Sequence, residues 1–169
     1  MNVSKTPALS KKLVFVVSED WYFCSHRLDL AVAAKAAGYD VVVVTRVKDH
    51  GDQIVSAGVR LIPLDISRRS VNPVRELRTV YQLISVFRME RPLLVHNVAL
   101  KPVIYGTLAG RVVGVTSIVN ALAGLGFLYS SLSSKARILR FLIELVFRAL
   151  FKSPGVRVIL QNPDDVKLL

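Results

Sequence analysis

The sequence predicts an α/β fold, a doubly wound and mostly parallel sheet, and three observations carry that reading. KLVFVV at 12–17 and DVVVVT at 40–45 are short, continuous runs of apolar, largely β-branched residues. Strands of that kind bury both faces, which is what a parallel sheet between two helix layers requires. Segments with helical spacing fill the intervals, and the connections are short enough for one layered domain.

Taken in order, 12–17 is the first strand, and Leu28, Ala31, Val32 and Lys35 recur at helical spacing in a helix over 25–37, with Gly38 as its C′ residue. The second strand is 40–45, and a short helix around 49–57, stopped by Gly58, leads into VRLIPL at 59–64. DISRRSVN at 65–72 is a polar, basic loop. Asn72 is placed to cap a helix, and Pro73 suits its first position, where a missing N–H costs nothing. Leu77, Val80, Tyr81, Ile84 and Phe87 then form an apolar stripe that ends before Arg91-Pro92. LLVHN at 93–97 is the fourth strand, Pro102 opens a helix through Arg111, GVTSIVN at 114–120 is the fifth strand and VRVILQN at 156–162 the last. Residues 1–11 read as a flexible leader and 12–169 as one domain, and the stop just after the last strand suggests a truncated protein or one half of a larger architecture, a complete small domain with a frayed end being the alternative.

Composition narrows the partners. Among 169 residues, 23 Lys and Arg face 12 Asp and Glu, a net charge of +11, while 52% of residues are hydrophobic. That apolar content excludes a charged disordered chain and disfavours a purely solvated basic tail. It leaves an anionic membrane, a phosphate-bearing ligand or a nucleic acid as partner. Cys24 stands alone, so there is no intrachain disulfide, little to build a cysteine metal site, and a reducing cytoplasm is the simplest home. The N-terminus lacks the apolar core of a secretory signal, and the uncharged interval 112–134, rich in Gly, Ser and Thr, reads as a strand and a loop rather than a spanning helix.

No G-x-G-x-x-G and no G-x-x-x-x-G-K-[ST] phosphate loop is present. In an open parallel sheet the loops after the strands nonetheless converge on one edge. His26, at the predicted start of the first helix, can act on a proton or bind phosphate there, or simply cap the helix. His96 and Asn97 at the end of the fourth strand, with Lys101 just before the next helix, offer a proton-transfer group, an amide and a cation at the same edge; buried hydrogen bonding and solvation are their structural alternatives. Gly124 and Gly126 let backbone approach a sugar or phosphate closely, with Asn120 and Ser130 adding hydrogen bonds, although turn geometry explains the glycines equally well. Arg68 and Arg69 suit phosphate or a solvated charge run, and Glu19 and Asp20 form no hydrolase-like carboxylate pair.

KARILRFLIELVFRALFK at 135–152 places Arg137, Arg140, Glu144, Arg148 and Lys152 on one helical stripe and leaves a wide apolar arc elsewhere. Phe141, Phe147 and Leu150 are expected to enter a membrane interface while Arg140 and Arg148 meet anionic headgroups; burial against another domain is the rival explanation.

Four stretches in this order, FVVSEDWYFCSHRLDLAVAAKAAGYDVVVVT, NPVRELRTVYQLISVFRMERPLLVHNVALKPVIYGTLAGR, IVNALAGLGFLYS and VILQNPDD, resemble the N-terminal domain of a family 4, GT-B-fold glycosyltransferase, especially bacterial enzymes that extend lipid-linked glycans. The resemblance implies a Rossmann-like, acceptor-side half of a two-domain enzyme whose donor-binding domain, with its E-x7-E motif, is not in this sequence. It implies retaining transfer of a hexose or N-acetylhexosamine from a nucleotide sugar, a UDP-sugar above all, without a bound metal. The acceptor would be a polyprenyl-diphosphate-linked glycan, and the enzyme peripheral on the cytoplasmic face of an anionic membrane. By the family's pattern SHR at 25–27, HNVALKP at 96–102 and GLG at 124–126 face the interdomain cleft. His26, His96 and Lys101 become the catalytic candidates, and Ser25, Arg27, Asn97, Asn120, Gly124 and Gly126 the acceptor- or phosphate-binding ones. A noncatalytic membrane module that binds lipid-linked sugar or a partner glycosyltransferase is the alternative, and nucleic-acid binding ranks third.

Overall fold

The strand runs do pair in parallel. The structure is a computed structural model that describes residues 11–67, 72–122 and 134–160. Its elements are β1 (Lys12–Glu19), α1 (Asp20–His26), α2 (Leu28–Ala36), β2 (Asp40–Arg46), α3 (Gly51–Ser56), β3 (Arg60–Pro63), α4 (Pro73–Glu90), β4 (Leu94–Val98), α5 (Leu100–Val113), β5 (Ser117–Leu122), α6 (Ser134–Phe151) and β6 (Val156–Leu160). The sheet order is β3-β2-β1-β4-β5-β6, with every pairing parallel. Strand order reverses between β1 and β4, which is where doubly wound sheets open a crevice at their carboxyl edge.

Alternation along the strands divides the core into two layers. Val14, Val16, Val42, Val44, Val95 and Ile118 lie under Leu83 and Phe87 of α4 and Ala109 of α5. Leu13, Phe15, Val17, Val41 and Val43 lie under Phe23 of α1, Ala31 of α2 and Ile54 of α3. Helix α6 extends the first layer, because Ile143 and Phe147 pack with Val103 and Leu122. Backbone approaches backbone closely at Gly155, whose φ is +90° and whose missing Cβ would meet the Thr116 carbonyl.

Three expectations change. The helix expected over 25–37 is two helices broken at Arg27 (φ −134°, ψ −12°), with α1 starting directly after β1. The reason is Asp20: its buried carboxylate accepts the N–H groups of Trp21 (2.8 Å), Lys48 (2.7 Å) and His50 (2.9 Å), pinning the first turn to the β2–α3 connection. Burial alone would raise that carboxyl, but the backbone donors prevail and hold it below the usual range. On α4 the buried face is Thr79, Leu83, Val86, Phe87 and Glu90, while Leu77 and Tyr81 of the expected stripe are 70% and 67% exposed. On α6, Phe147 and Leu150 face inward, not a membrane, because their rows meet α5 and β5; Phe141 and Arg148 are exposed, and the Arg140 side chain lies outside the described residues.

The opposite, amino-terminal edge of the sheet is held by an ion cluster that the sequence reading did not contain. Glu90, in the last turn of α4, accepts from Lys12 Nζ (2.8 Å) on β1 and from both terminal nitrogens of Arg60 on β3, the first at 2.7 Å. The Arg60 hydrogen bonds, opposed by burial and assisted by Lys12, bring the Glu90 carboxyl down to about 2.

Candidate functional site

Two groups of side chains stand around the carboxyl edge at the β1/β4 switch point. The first comes from the α1–α2 break. His26 lies in the last turn of α1, not at the start of the first helix as expected, and is exposed. Its ring stacks on Tyr22, with centroids 4.3 Å apart and planes at 11°, and its Nδ1 is 3.3 Å from the Tyr22 carbonyl. Ser25 is exposed and donates its hydroxyl to the Trp21 carbonyl at 2.9 Å. Arg27 donates one terminal nitrogen to the His26 carbonyl at 2.8 Å, while its Nε is buried without a hydrogen-bond partner among the described residues.

His96 sits within β4 rather than at its end, and is 8% exposed. Its ring lies against Phe15, with centroids 5.1 Å apart, and its Nε2 also has no hydrogen-bond partner among the described residues. Burial, with the nearby Arg27 cation second, brings the imidazole down to about 4, so it is neutral at pH 7. Among the described residues, two buried nitrogens, one on a cation and one on a neutral ring, thus stand unsatisfied in the same neighbourhood. Buried polar groups are nearly always paired, so this is where a ligand acceptor atom or an ordered water fits.

The second group is a chain of charges along the edge. Lys101 lies inside the first turn of α5 and donates to the Ser67 carbonyl and Glu76 Oε1, both at 2.8 Å. Tyr105 donates to the other Glu76 oxygen at 2.7 Å. Asp65 pairs with Arg75 and, at 3.5 Å, with Arg46; Glu19, at the end of β1, pairs with Lys48 at 3.1 Å and Arg46 at 3.9 Å. Lys101 is therefore part of a structure-bearing ion pair that ties α5 to α4. Beside it a cavity of about 600 Å³ opens between β3 and α4, with Asp65, Arg75, Arg78 and Gln82 in its wall. Glu76, Tyr105, Arg46 and Lys48 escaped the sequence reading because no local motif marks them; only the topology gathers them.

Asn97 and Asn120 lie on the other face of the sheet. Both are fully buried, and they face α5 on the opposite side of the sheet from His96. Asn97 Nδ2 donates to Asn120 Oδ1 at 2.8 Å, and Thr107 of α5 donates to the same oxygen at 3.0 Å. Gly106 admits them, since a Cβ there would collide with Asn97 Oδ1. These bonds fasten α5 to the sheet, while Asn97 Oδ1 and Asn120 Nδ2 have no hydrogen-bond partner among the described residues. Gly124 and Gly126, like Ser130, Arg68 and Arg69, lie outside the described residues.

Between the two groups the backbone is strained. Ala99 joins β4 to α5 with φ 78° and ψ 164°, a region that essentially only glycine occupies. Its N–H bonds to the Ala121 carbonyl at 3.1 Å, and its carbonyl accepts from Val103 at 3.0 Å, which fixes the conformation from both sides. Ala99→Gly is expected to stabilise the fold by about 1 kcal/mol, the strain relieved exceeding the added freedom of the unfolded chain. A thermal melt checks this, since the midpoint should rise by about 2–4 °C; a fall would mean the alanine methyl contributes packing greater than its strain.

The fold and these groups define a Rossmann-like domain whose switch-point edge collects the polar chemistry. The chain belongs to the glycosyl transferase 4-like family, which it matches over residues 12–153. It is 25% identical over 126 residues to an N,N'-diacetylbacillosaminyl-diphospho-undecaprenol alpha-1,3-N-acetylgalactosaminyltransferase of Campylobacter jejuni, covering 75% of this chain and 34% of that protein. Its fold is similar to that of a glycosyltransferase from Rickettsia africae (TM-score 0.58, 12% identity, 95% of this chain and 48% of that one). It is similar as well to MurG of Acinetobacter baumannii (TM-score 0.56, 14% identity, 68% of this chain and 36% of that one). The chain thus spans about a third of the length of the curated relative it matches. Among the described residues, no helix is long and apolar enough to cross a membrane.

Proposed function

We propose that this chain is the acceptor-side domain of a retaining glycosyltransferase. Completed by a donor-binding domain, it transfers a hexose or N-acetylhexosamine from a UDP-sugar to a polyprenyl-diphosphate-linked glycan, working peripherally at the cytoplasmic face of the membrane. The observation that carries the reading is the unsatisfied pair at the switch point, Arg27 Nε and His96 Nε2. A diphosphate brings acceptor oxygens for both: the guanidinium supplies charge and a directed N–H, and the neutral imidazole supplies a second donor without repelling the first. His26, exposed and stacked on Tyr22, orients the acceptor beside them. The family and the acceptor in the name of the Campylobacter relative support the same assignment.

The probe is geranyl diphosphate, titrated calorimetrically into the folded chain. Saturable binding is expected, with Arg27→Ala weakening it by roughly 10- to 100-fold, the loss of a charge-assisted hydrogen bond. Transfer of labelled sugar from a UDP-sugar to the lipid-linked acceptor, with a donor domain supplied, should fall by a similar factor in kcat/KM. A folded chain that ignores the diphosphate, or an Arg27→Ala variant that binds it as well as the parent, ends this assignment.

A further inference from the structure

The cavity of about 600 Å³ between the carboxyl end of β3 and the first half of α4 lies apart from the Arg27 and His96 pair. Its volume falls within the roughly 300–1,000 Å³ of small-molecule sites. The wall has an apolar part, in which Leu64, just past β3, is buried and Val74, in the first turn of α4, is exposed. It also has a polar part. Arg75, Arg78 and Gln82 recur along α4 at i, i+3 and i+7, which puts them on one face of that helix, and they line the cavity together with Asp65. The charges of this wall do not cancel. Asp65 is bound by Arg75 and, at 3.5 Å, by Arg46, so its charge is met within the protein. Arg78, by contrast, is exposed and makes no hydrogen bond or ion pair among the described residues.

An unpaired guanidinium is a planar fork that matches a carboxylate at two points. One turn further along, the Gln82 amide offers a donor and an acceptor side by side, the pattern that meets neighbouring hydroxyls. Leu64 and Val74 supply apolar surface for the C–H face of a ring. We infer that the β3–α4 cavity binds an acidic pyranose, a sugar ring that carries a carboxylate, with Arg78 on the carboxylate, Gln82 on ring hydroxyls and Leu64 and Val74 against the ring. A small inorganic anion would use Arg78 and leave the amide and the apolar wall idle, and a neutral sugar would leave the guanidinium unpaired; an acidic sugar uses all three. In the sheet order β3 is the third neighbour of β4, which carries His96, so the cavity stands on the same carboxyl edge roughly 14 Å across the strands. A glycan whose diphosphate is held at the switch point extends along that edge toward the cavity. That the acidic sugar is part of the acceptor rests on the reading of a polyprenyl-diphosphate-linked glycan, whereas its recognition by the cavity stands independently of it.

The test titrates methyl glucuronide, methyl glucoside and acetate separately into the whole folded chain at pH 7, followed by nuclear magnetic resonance with the Gln82 side-chain amide as local reporter. Saturable shifts are expected with the glucuronide, and binding at least tenfold weaker with the glucoside and with acetate. Arg78→Gln should weaken the glucuronide about tenfold and leave the glucoside unchanged, while Gln82→Ala, followed on backbone amides of α4, should weaken both sugars roughly threefold. Both side chains are exposed, so the variants should fold, and melting curves establish that they do. Absence of saturable glucuronide binding, equal binding of glucoside and glucuronide, or an unchanged affinity in Arg78→Gln would overturn the inference. Acetate binding as tightly as the glucuronide would overturn it equally, since the cavity would then hold a carboxylate and not a sugar. Arg27→Ala should bind the glucuronide like the parent, and Arg78→Gln should bind geranyl diphosphate like the parent. Failure of the cavity and failure of the diphosphate site therefore give different results.

Discussion

Replacing Glu90 with alanine is expected to cost about 3 kcal/mol of stability at pH 7 and to lower the melting midpoint by roughly 10 °C. Glu90 is 6% exposed and is the shared acceptor for Lys12 and Arg60, so its removal strands two cations where β1, β3 and α4 meet. The expected figure lies at the lower end of what breaking a buried pair costs, because Lys12 retains Asp40 at 3.4 Å and the Arg60 side chain is 47% exposed and can turn to solvent. The pH dependence has a definite sign. Glu90 has a folded value of about 2 against an ordinary 4.5, so its contribution is fully present above 4.5 and is lost as pH falls from 4.5 toward 2. Melts of the parent should decline over that window, and those of Glu90→Ala should lack this part of the decline. A midpoint shift under 2 °C at pH 7 would show that the cluster holds nothing together.

His96→Gln is expected to remove a different acid transition. The parent imidazole titrates near 4 when folded and near its ordinary 6.5 when unfolded. Between those values the unfolded chain binds a proton that the folded chain refuses, so stability falls as pH drops from 6.5 to 4, by up to about 3 kcal/mol. Glutamine does not titrate, and the variant's melting midpoint should stay flat across that window apart from the carboxylate contributions. A parent whose stability does not change between pH 6.5 and 4.5 would mean that His96 is not buried beside Arg27 in solution. The same experiment bears on function, because a ring that is neutral at pH 7 suits a hydrogen-bond donor to phosphate better than a resident cation or a proton source.

The strands were legible because their signal is local. A run such as VVVV at 41–44 is apolar at every position, and the structure buries all four residues in a central strand. The N-cap of α4 was legible for the same reason: Asn72 accepts from Val74 at 3.0 Å and precedes Pro73 within the very turn it caps. Helix α1 was not, since SEDWYFCSHR has no helical period and its first turn depends on Asp20 reaching N–H groups at positions 48 and 50. The buried face of α4 is not legible in the sequence, because apolar residues occupy both sides of that helix. Thr79 is inward because its hydroxyl returns to the Arg75 carbonyl at 3.0 Å, and Glu90 because two cations meet it there; neither is visible as hydrophobic pattern.

The site divides in the same way. Sequence alone determined the class of fold, the alternation of strand and helix, and the family resemblance, all of which rest on order and periodicity along the chain. It also marked Arg27 and His96 as members of one edge. Only the tertiary structure decided which candidates share a surface. His96 and Asn97 are neighbours in the chain, yet strand pleating sends the first toward Arg27 and the second under α5 against Gly106. Phe147 and Phe141 lie on one helix, yet its packing on α5 and β5 buries the first and exposes the second. Periodicity says that an element has faces; which face meets the core, a ligand or a membrane is set by the elements that pack against it.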